Sequence, residues 1–265
     1  MQTEKITDHI VDWLRDYANR AGMKGFVVGV SGGIDSAVTS TLCARTGLEV
    51  LCLEMPIHQS KNQITRAANH IFWLKENYPN VRSEWIDLTP VFDTLIEALP
   101  PIDHEDMRLM SLANTRARIR MTSLYYFAAI DKLLVAGTGN KVEDFGVGFF
   151  TKYGDGGVDL SPIADLLKTE VYQLAAYLGV GDDIMDAPPT DGLWGDDRTD
   201  EDQIGASYPE LEWAMKMDAL GKTPAEFSGR EQEVYIIYQK LHAVNRHKML
   251  PIPVCEIPQG LKITS

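Results

Sequence analysis

Residues 26–36 of the sequence, FVVGVSGGIDS, join a short apolar run to two glycines and an aspartate. The run Phe26–Val30 is apolar throughout, which is expected of a strand buried on both of its faces. The segment Asp35–Arg45 that follows predicts a helix, and Gly47 stops it. A buried strand, a glycine turn and a helix in this order are the first unit of a parallel α/β sheet.

Strand-like and helix-like segments keep alternating along the 265-residue chain, which favours an α/β fold with a doubly wound, mostly parallel sheet flanked by helices. Apolar residues at helical spacing predict the first helix at residues 6–20. The further predicted strands are Glu49–Met55, Arg82–Leu88 and Leu133–Gly137, and the further predicted helices are Asn62–Glu76, Pro90–Ala98 and Asp106–Ile130.

The second half of the chain has a different local composition. Glycines crowd residues 146–157 and exclude a regular helix there, whereas Pro162–Leu178 again predicts a helix. Residues 186–206 are rich in Pro, Gly and Asp and predict a long loop. We expect residues 1–265 to form a single domain with a helical C-terminal extension.

Composition narrows the classes of function. A formal net charge of −13 argues against a general binder of nucleic-acid phosphates. The N-terminus lacks the pattern of a signal peptide, and no apolar run is long enough to cross a membrane. Cys43, Cys52 and Cys255 contain no CxxC pair, so neither a disulfide framework nor a thiolate metal site is predicted. We expect a cytoplasmic protein that binds neither nucleic acid nor a membrane.

The SGGIDS loop falls where open α/β sheets bind ligands, between the carboxyl end of a strand and the start of a helix. Gly32 and Gly33 let the backbone approach a ligand closely, and a helix N-terminus attracts anions. The Asp35 carboxylate repels a phosphate unless a cation lies between them, and Mg²⁺ binds carboxylates and phosphates together. The loop is neither a Walker A loop nor GxGxxG. The alternative is a simple turn in which Asp35 caps the helix.

The stretch GVSGGIDSA, at residues 29–37, resembles the pyrophosphate-binding loop of the N-type ATP pyrophosphatases, whose sheet is Rossmann-like and whose members activate substrates by adenylation. Within that superfamily, later stretches resemble the NAD synthetases. They are GTGNKVED at 137–144, FFTKYGDGGVDLSPIADLLKTEV at 149–171, DAPPTDGLW at 186–194 and HK at 247–248.

The resemblance also bears on the nitrogen donor. No amidohydrolase domain precedes the matching residues, which implies the ammonia-dependent form. GTGNKVED departs from the GTDHA-type stretch of some ammonia-dependent members, and GNK-type sequences also occur among glutamine-dependent enzymes. A separate glutaminase subunit therefore stays open as an alternative.

The resemblance implies ATP-dependent amidation of deamido-NAD by ammonia through an adenylated intermediate, with Asp35 and Lys168 as catalytic residues. It implies Mg²⁺ ligands at Asp35 and Glu143. It implies deamido-NAD contacts at Arg118, Lys152, Asp159, His247 and Lys248. It implies ATP contacts at Gly29, Val30, Ser31, Gly32, Gly33, Ile34, Asp35, Ser36, Thr138, Lys168 and Thr190.

Each of these residues has a simpler interpretation. Glu143 can stabilise a helix dipole, and Arg118 lies in NTRARIR, a pattern typical of a solvated helix face. Lys168 can be an exposed residue at a helix start, Asp159 a turn residue, and His247 a packing or capping residue.

The family resemblance further implies a homodimer, for which the predicted helix 106–130 offers Met107, Met110, Met121, Leu124, Tyr125 and Phe127; the alternative is that these side chains face the protein's own core. Residues 186–206 and His58–Gln63 are candidate lids over a water-sensitive intermediate.

Two other functions stay open. They are tRNA sulfur transfer, which calls for a reactive cysteine pair and a basic module, and non-catalytic nucleotide binding.

Overall fold

The computed structural model describes residues 1–190 and 199–262. Its described strands form a parallel sheet in the order β3-β2-β1-β4, made of β1 (Gly25–Gly29), β2 (Glu49–Glu54), β3 (Val81–Trp85) and β4 (Leu133–Val135). In the register of the sheet, Val27 lies opposite Leu51 on one side and Val135 on the other. Because the strands are parallel, their carboxyl ends meet at one edge, where this class of sheet binds ligands.

Helices cover both faces of the sheet, as the alternation predicts. One face packs against α1 (Thr3–Ala21), α2 (Ile34–Arg45), α3 (Lys61–Asn77) and α6 (Lys168–Leu178). The opposite face packs against α4 (Thr89–Ala98) and α5 (Glu105–Asp131). Neighbouring residues of β1 show the two-sided burial directly, since Phe26 and Val28 belong to the first core and Val27 to the second.

The C-terminal extension builds a third core beside the sheet. Its centre includes Tyr235, Leu211 and Val147, which are fully or almost fully buried. Val147 belongs to a short π-helix, Val142–Val147, which takes the place of a regular helix in the glycine-rich stretch. Before the extension, α7 (Asp182–Met185) packs into the first core through Ile184. The described helices of the extension are α8 (Asp200–Ile204), α9 (Tyr208–Ala219), α10 (Gly229–Met249) and α11 (Gln259–Lys262), with a short 3₁₀ helix at Pro224–Glu226.

Two predicted elements are corrected. The helix predicted over Pro162–Leu178 begins only at Lys168, because the preceding backbone bonds to the segment after β4: Leu160 O accepts from Gly137 N–H and Leu166 O from Lys141 N–H. The predicted loop 186–206 contains α8, whose N-terminus Thr199 caps. Residues 191–198 of that loop, which include part of the predicted lid, lie outside the described residues.

A buried histidine makes the stability of the packed helices depend on pH. His70 of α3 is almost fully buried, bonds through Nε2 to the Ser40 hydroxyl at 3.0 Å and stacks on Trp73. Burial lowers the pKa of His70 to about 4, although Asp183 and the Ala37 backbone act in the opposite direction. The native state therefore keeps a neutral imidazole while the unfolded chain takes up a proton below about pH 6.5.

We predict that stability contributed by His70 is complete above the unfolded pKa and is lost as pH falls toward 4. Between about pH 7.5 and about pH 5, the loss in unfolding free energy should be about 2 kcal/mol greater in the wild type than in His70→Gln. Urea unfolding at both pH values measures this difference, with the exposed His9→Gln as a control that keeps the wild-type slope. Equal pH slopes in the wild type and His70→Gln would contradict the prediction.

Candidate active site

The SGGIDS loop joins β1 to α2 at the ligand-binding edge of the sheet. Gly32 has φ +79°, and a Cβ atom there would lie 2.6 Å from the Gln63 carbonyl oxygen on α3. Both the backbone conformation and the close approach of α3 thus require glycine. Arg66 of α3 donates from Nε to the Gly32 carbonyl at 3.1 Å and fixes the loop against that helix.

The two serines of the loop hold its shape from within. Ser31 Oγ lies 3.1 Å from Ser36 Oγ, and the Gly33 N–H donates to Ser31 Oγ. The Ser36 hydroxyl also donates to the Gly33 carbonyl at 2.9 Å, close to the start of α2. The predicted anion site thus has a preformed turn and a helix N-terminus, and both serines line the adjoining cavity.

Lys168, the first residue of α6, connects two loops that are far apart in sequence. Its Nζ donates to Asp35 Oδ2 at 2.5 Å and to Glu143 Oε1 at 2.9 Å. The Lys168 side chain is only 3% exposed, so its interpretation as an exposed residue at a helix start is wrong. The fold brings together the three residues that carry the predicted catalytic and metal-binding roles.

Two residues that the sequence analysis missed support this cluster. Asn140 donates from Nδ2 to Asp35 Oδ1 at 3.2 Å, while its Oδ1 accepts from the backbone N–H of Glu143 at 3.1 Å. Tyr208 of α9 donates its hydroxyl to Glu143 Oε1 at 2.5 Å, and its ring lies 4.7 Å from Lys168 Nζ. Asn140 falls within GTGNKVED, whereas nothing near Tyr208 in the sequence points to the site.

Burial and charge act against each other in the cluster. Burial disfavours the charged form of Lys168, but Asp35 and Glu143 together raise its pKa, so it stays an ammonium. Burial also disfavours the Glu143 carboxylate, but Lys168 and Tyr208 lower its pKa. For Asp35, burial raises the pKa even though Lys168 opposes it. One ammonium cannot balance the charge of two carboxylates, so a further cation is electrostatically favoured there.

A cavity of about 290 Å³ adjoins the loop and the Lys168 cluster. Thr138 and Thr190, both predicted ATP contacts, line it. Asp144 and Asp155 line it as well, and both are carboxyls outside the predicted site. Burial raises the pKa of Asp155 to about 6, although the Thr151 N–H donates to its Oδ1 at 3.0 Å. The cavity thus contains a carboxyl group that titrates near neutral pH.

Four of the predicted dinucleotide residues lie together around residues 148–153. Arg118 Nε donates to the Lys152 carbonyl at 3.3 Å, and Lys152 Nζ donates to the His247 carbonyl at 3.3 Å. Lys248 Nζ donates to the Phe150 carbonyl at 2.6 Å and lies over the Phe150 ring. Residues from α5, α10 and the glycine-rich segment therefore form one basic group, and Arg118 within it is exposed, as its interpretation as part of a solvated helix face also requires.

The fifth predicted dinucleotide residue has a separate environment. Asp159 accepts from the Tyr125 hydroxyl at 2.9 Å and from the Val135 N–H at 2.8 Å. Each carboxylate oxygen therefore already has a protein donor that ties the segment to the end of β4. The structure does not bring Asp159 into contact with the basic group.

The donor set at Asp35 and Glu143 suits a hard cation, since Mg²⁺ binds through one or two carboxylates and completes its shell with phosphate oxygens and water. Both carboxylates reach the same Lys168 nitrogen, so they face one small volume. Within the described residues, no group of three or more His, Cys, Asp or Glu side chains is placed to hold a metal by itself.

The family model of NAD synthase matches residues 6–251. The chain belongs to the NAD synthase family. An NH3-dependent NAD+ synthetase from Archaeoglobus fulgidus is 39% identical over 261 residues, covering 97% of this chain and 98% of that one. Another, from Carboxydothermus hydrogenoformans, is 38% identical over 215 residues, covering 79% of this chain and 84% of that one.

Two solved structures agree with the fold. The NMN synthetase from Francisella tularensis superposes with a TM-score of 0.81 and 30% identity, covering 98% of this chain and 99% of that one. The NH3-dependent NAD synthetase from Campylobacter jejuni has a TM-score of 0.78 and 28% identity, with 97% and 100% covered. Among the described residues, no helix is both long and apolar enough to cross a bilayer.

Proposed function

We propose that the protein is an ATP-dependent ligase that amidates deamido-NAD to NAD with ammonia. The observation that carries this proposal is the contact of Lys168 with Asp35 and Glu143 beside the SGGIDS loop. In the first step the nicotinate carboxylate attacks the α-phosphorus of ATP and pyrophosphate leaves. In the second step ammonia attacks the acyl carbon, loses a proton and displaces AMP.

The residues at the sheet edge suit the first step. Nucleotidyl transfer depends on positioning and on neutralising charge at the phosphate oxygens. The backbone around Gly32 and Gly33 and the N-terminus of α2 are placed to hold the pyrophosphate portion of ATP. Lys168, kept as an ammonium by its two carboxylates, is placed to offset the charge that grows on the leaving pyrophosphate.

Asp35 and Glu143 would hold Mg²⁺ at this site. When bound, the ion would supply positive charge against the triphosphate, which lets an anion lie beside Asp35. The basic group formed by Arg118, Lys152 and Lys248 would bind the anionic dinucleotide by charge-assisted hydrogen bonds. Thr138 and Thr190 would contact ATP, since both line the cavity.

Asp155 is suited to the second step, because ammonium must lose its proton before it can attack. A carboxylate with a pKa of about 6 is ionised at neutral pH and can both attract ammonium and accept a proton. Asp144 and Glu143 add negative charge around it, while Lys248 acts in the opposite direction. We therefore propose that Asp155 faces the incoming nitrogen donor.

We predict that activity dependent on Asp155 is lost as pH falls through about 6, because protonation removes the carboxylate. The ratio of wild-type to Asp155→Asn turnover, measured with equal total ammonium at each pH, should fall by about tenfold between about pH 7.5 and about pH 5. Comparing the two proteins at each pH cancels the change in free ammonia. A ratio that is independent of pH would contradict the role of Asp155.

A second substrate has support from one observation. The solved structure with a TM-score of 0.81 is an NMN synthetase. A substrate of that kind is nicotinate mononucleotide, whose nicotinate carboxylate would be the group that ATP activates. Purified protein should be assayed with ATP, Mg²⁺ and ammonium, using deamido-NAD and nicotinate mononucleotide in separate reactions. We expect the reaction with deamido-NAD, which gives AMP and NAD, to have the higher kcat/KM of the two. If no AMP formed with either substrate, the ligase proposal would be refuted and a non-catalytic nucleotide-binding protein would be favoured.

The nitrogen donor is tested in the same assay. Glutamine in place of ammonium should give no NAD, because we propose ammonia as the direct donor. If glutamine supported turnover only when a glutaminase was added, ammonia would still be the species that reacts. We place the enzyme in a reducing cytoplasm, which the free thiols Cys43, Cys52 and Cys255 support.

We propose a homodimer, with α4 and α5 at the contact. Met107 is 69% exposed, and Met110 and Tyr125 are also exposed, so these members of the predicted set are free to form it. Met121 and Leu124 are buried and Phe127 packs against the second core, so these three face the protein's own interior. Nearby apolar residues extend the exposed surface, namely Val91, Leu95, Leu99, Ile102, Leu109, Tyr126 and Ile130.

An exposed apolar surface of this extent is typical of a protein interface. Light scattering at micromolar concentration should give twice the mass of one 29.6 kDa chain. The double variant Met107→Lys/Met110→Lys should shift the mass toward the monomer. A monomeric mass for the wild type would contradict the dimer.

A further inference from the structure

The order of the strands indicates where the nucleoside of ATP lies. In dinucleotide-binding sheets whose first strands have the order 3-2-1-4, a phosphate group binds at the glycine turn after β1. In those sheets, which carry a G-x-G-x-x-G loop, an acidic residue about twenty positions beyond the glycines contacts a ribose. Here the loop is SGGIDS, but the sheet has the same order, and an acidic residue, Glu54, ends β2.

Glu54 is a buried carboxyl with an unused acceptor. The residue as a whole is 8% exposed, and it lines the cavity that the SGGIDS loop adjoins. The Trp85 side chain donates a hydrogen bond to this carboxyl. Its Oε1 is buried and has no hydrogen-bond partner within residues 1–190 and 199–262. A buried carboxylate oxygen without a donor costs free energy, so a ligand that supplies a donor is strongly favoured there.

The surroundings of Glu54 suit a nucleoside rather than a phosphate. Val30, Met55 and Ile64 line the same cavity and offer apolar surface to a base. A phosphate would bring a second negative charge to a group that already lacks a counter-charge, whereas a ribose hydroxyl brings a donor without charge. Among the residues that the structure describes, no Lys, Arg or His side chain pairs with Glu54, so no protein cation satisfies it in place of a ligand.

We propose that Glu54 binds a ribose hydroxyl of ATP through Oε1 and thereby selects ribonucleotides over deoxyribonucleotides. The inference rests on the proposed binding of ATP at the SGGIDS loop, but it does not depend on which carboxylate is adenylated. Glu54 is a binding and specificity residue that does not take part in the chemical steps.

Binding of ATP, 2′-deoxy-ATP and 3′-deoxy-ATP, measured by calorimetry with Mg²⁺ and without dinucleotide, tests this independently of turnover. The wild type should bind at least one deoxy analogue about 10- to 100-fold more weakly than ATP, as expected for a hydrogen bond to a charged group. Glu54→Leu should lose this preference, and Glu54→Gln, which keeps an acceptor, should retain part of it. Glu84→Gln, on the exposed face of β3, is the matched control and should behave as the wild type.

Three outcomes would overturn the proposal. They are equal binding of all three nucleotides by the wild type, an unchanged preference in Glu54→Leu, and failure of the folded wild type to bind ATP. Binding of purine riboside triphosphate, which lacks the adenine amino group, tests whether Glu54 contacts the base instead of the ribose. If the wild type discriminates against that compound through Glu54 and not against the deoxy analogues, the carboxylate contacts the base and the ribose assignment is wrong. Normal ribose selectivity with no NAD formation would refute the proposed amidation alone.

Discussion

Replacing Lys168 by methionine should lower kcat by about a thousandfold, the effect expected when a charge that stabilises a transition state is removed. Lys168 contacts both Asp35 and Glu143, and it lies at the start of α6 beside the SGGIDS loop. Methionine fills a similar volume but has no charge to place near the departing pyrophosphate. The rate of pyrophosphate formation in a single turnover measures this step directly.

The same substitution also removes the partner of two buried carboxylates. Breaking a buried ion pair costs about 3–5 kcal/mol, so urea unfolding and circular dichroism must show that the variant is folded under the assay conditions. Lys168→Arg keeps the charge and should preserve the fold, yet its planar group cannot reproduce both contacts, so activity should still fall. Lys141→Met is the control, because Lys141 pairs with Asp165 at the surface. Near-normal single-turnover formation of pyrophosphate in folded Lys168→Met would show that Lys168 has no part in this step.

The strands and helices of the sheet were predictable because their signals are local. The apolar runs at Phe26–Val30 and Glu49–Met55 differ from β1 and β2 by one residue at their ends. The start of α6 was not predictable from Pro162, because the backbone before Lys168 is held by bonds to the segment after β4. A helix signal within one segment contains no information about bonds to another.

In the site, too, residues within sequence motifs were predictable, whereas residues that join the site from distant parts of the chain were not. Asp35, Glu143 and Lys168 were identified through motifs, and the structure brings them into contact. Tyr208 was missed because it reaches Glu143 from α9, across a long separation in sequence that no motif spans. Asp155 lies inside a recognised stretch, but the rise in its pKa is set by its surroundings in the folded chain, which no motif describes.

Replacing Asp35 by asparagine should lower turnover by about a thousandfold while changing the affinity for deamido-NAD by less than about threefold. Asparagine keeps the size of the side chain and an oxygen that can accept from Lys168, so the cluster should stay packed. It removes the negative charge that would bind Mg²⁺ and leaves Glu143 as the single carboxylate beside the ammonium. The expected loss therefore lies in metal-dependent chemistry and not in binding of the dinucleotide.

A titration with Mg²⁺ separates this effect from general damage to the site. In the wild type, activity should rise with Mg²⁺ and saturate, and in Asp35→Asn the half-saturating concentration should increase by about tenfold or more. Asp165→Asn, at a fully exposed aspartate, is the matched control and should follow the wild-type curve. Because the two variants lose the same charge, a difference between them reports the position of the carboxylate and not the net charge. If Asp35→Asn kept wild-type turnover and metal dependence, the pairing of Asp35 with a cation would be wrong, and the carboxylate would serve only to hold Lys168.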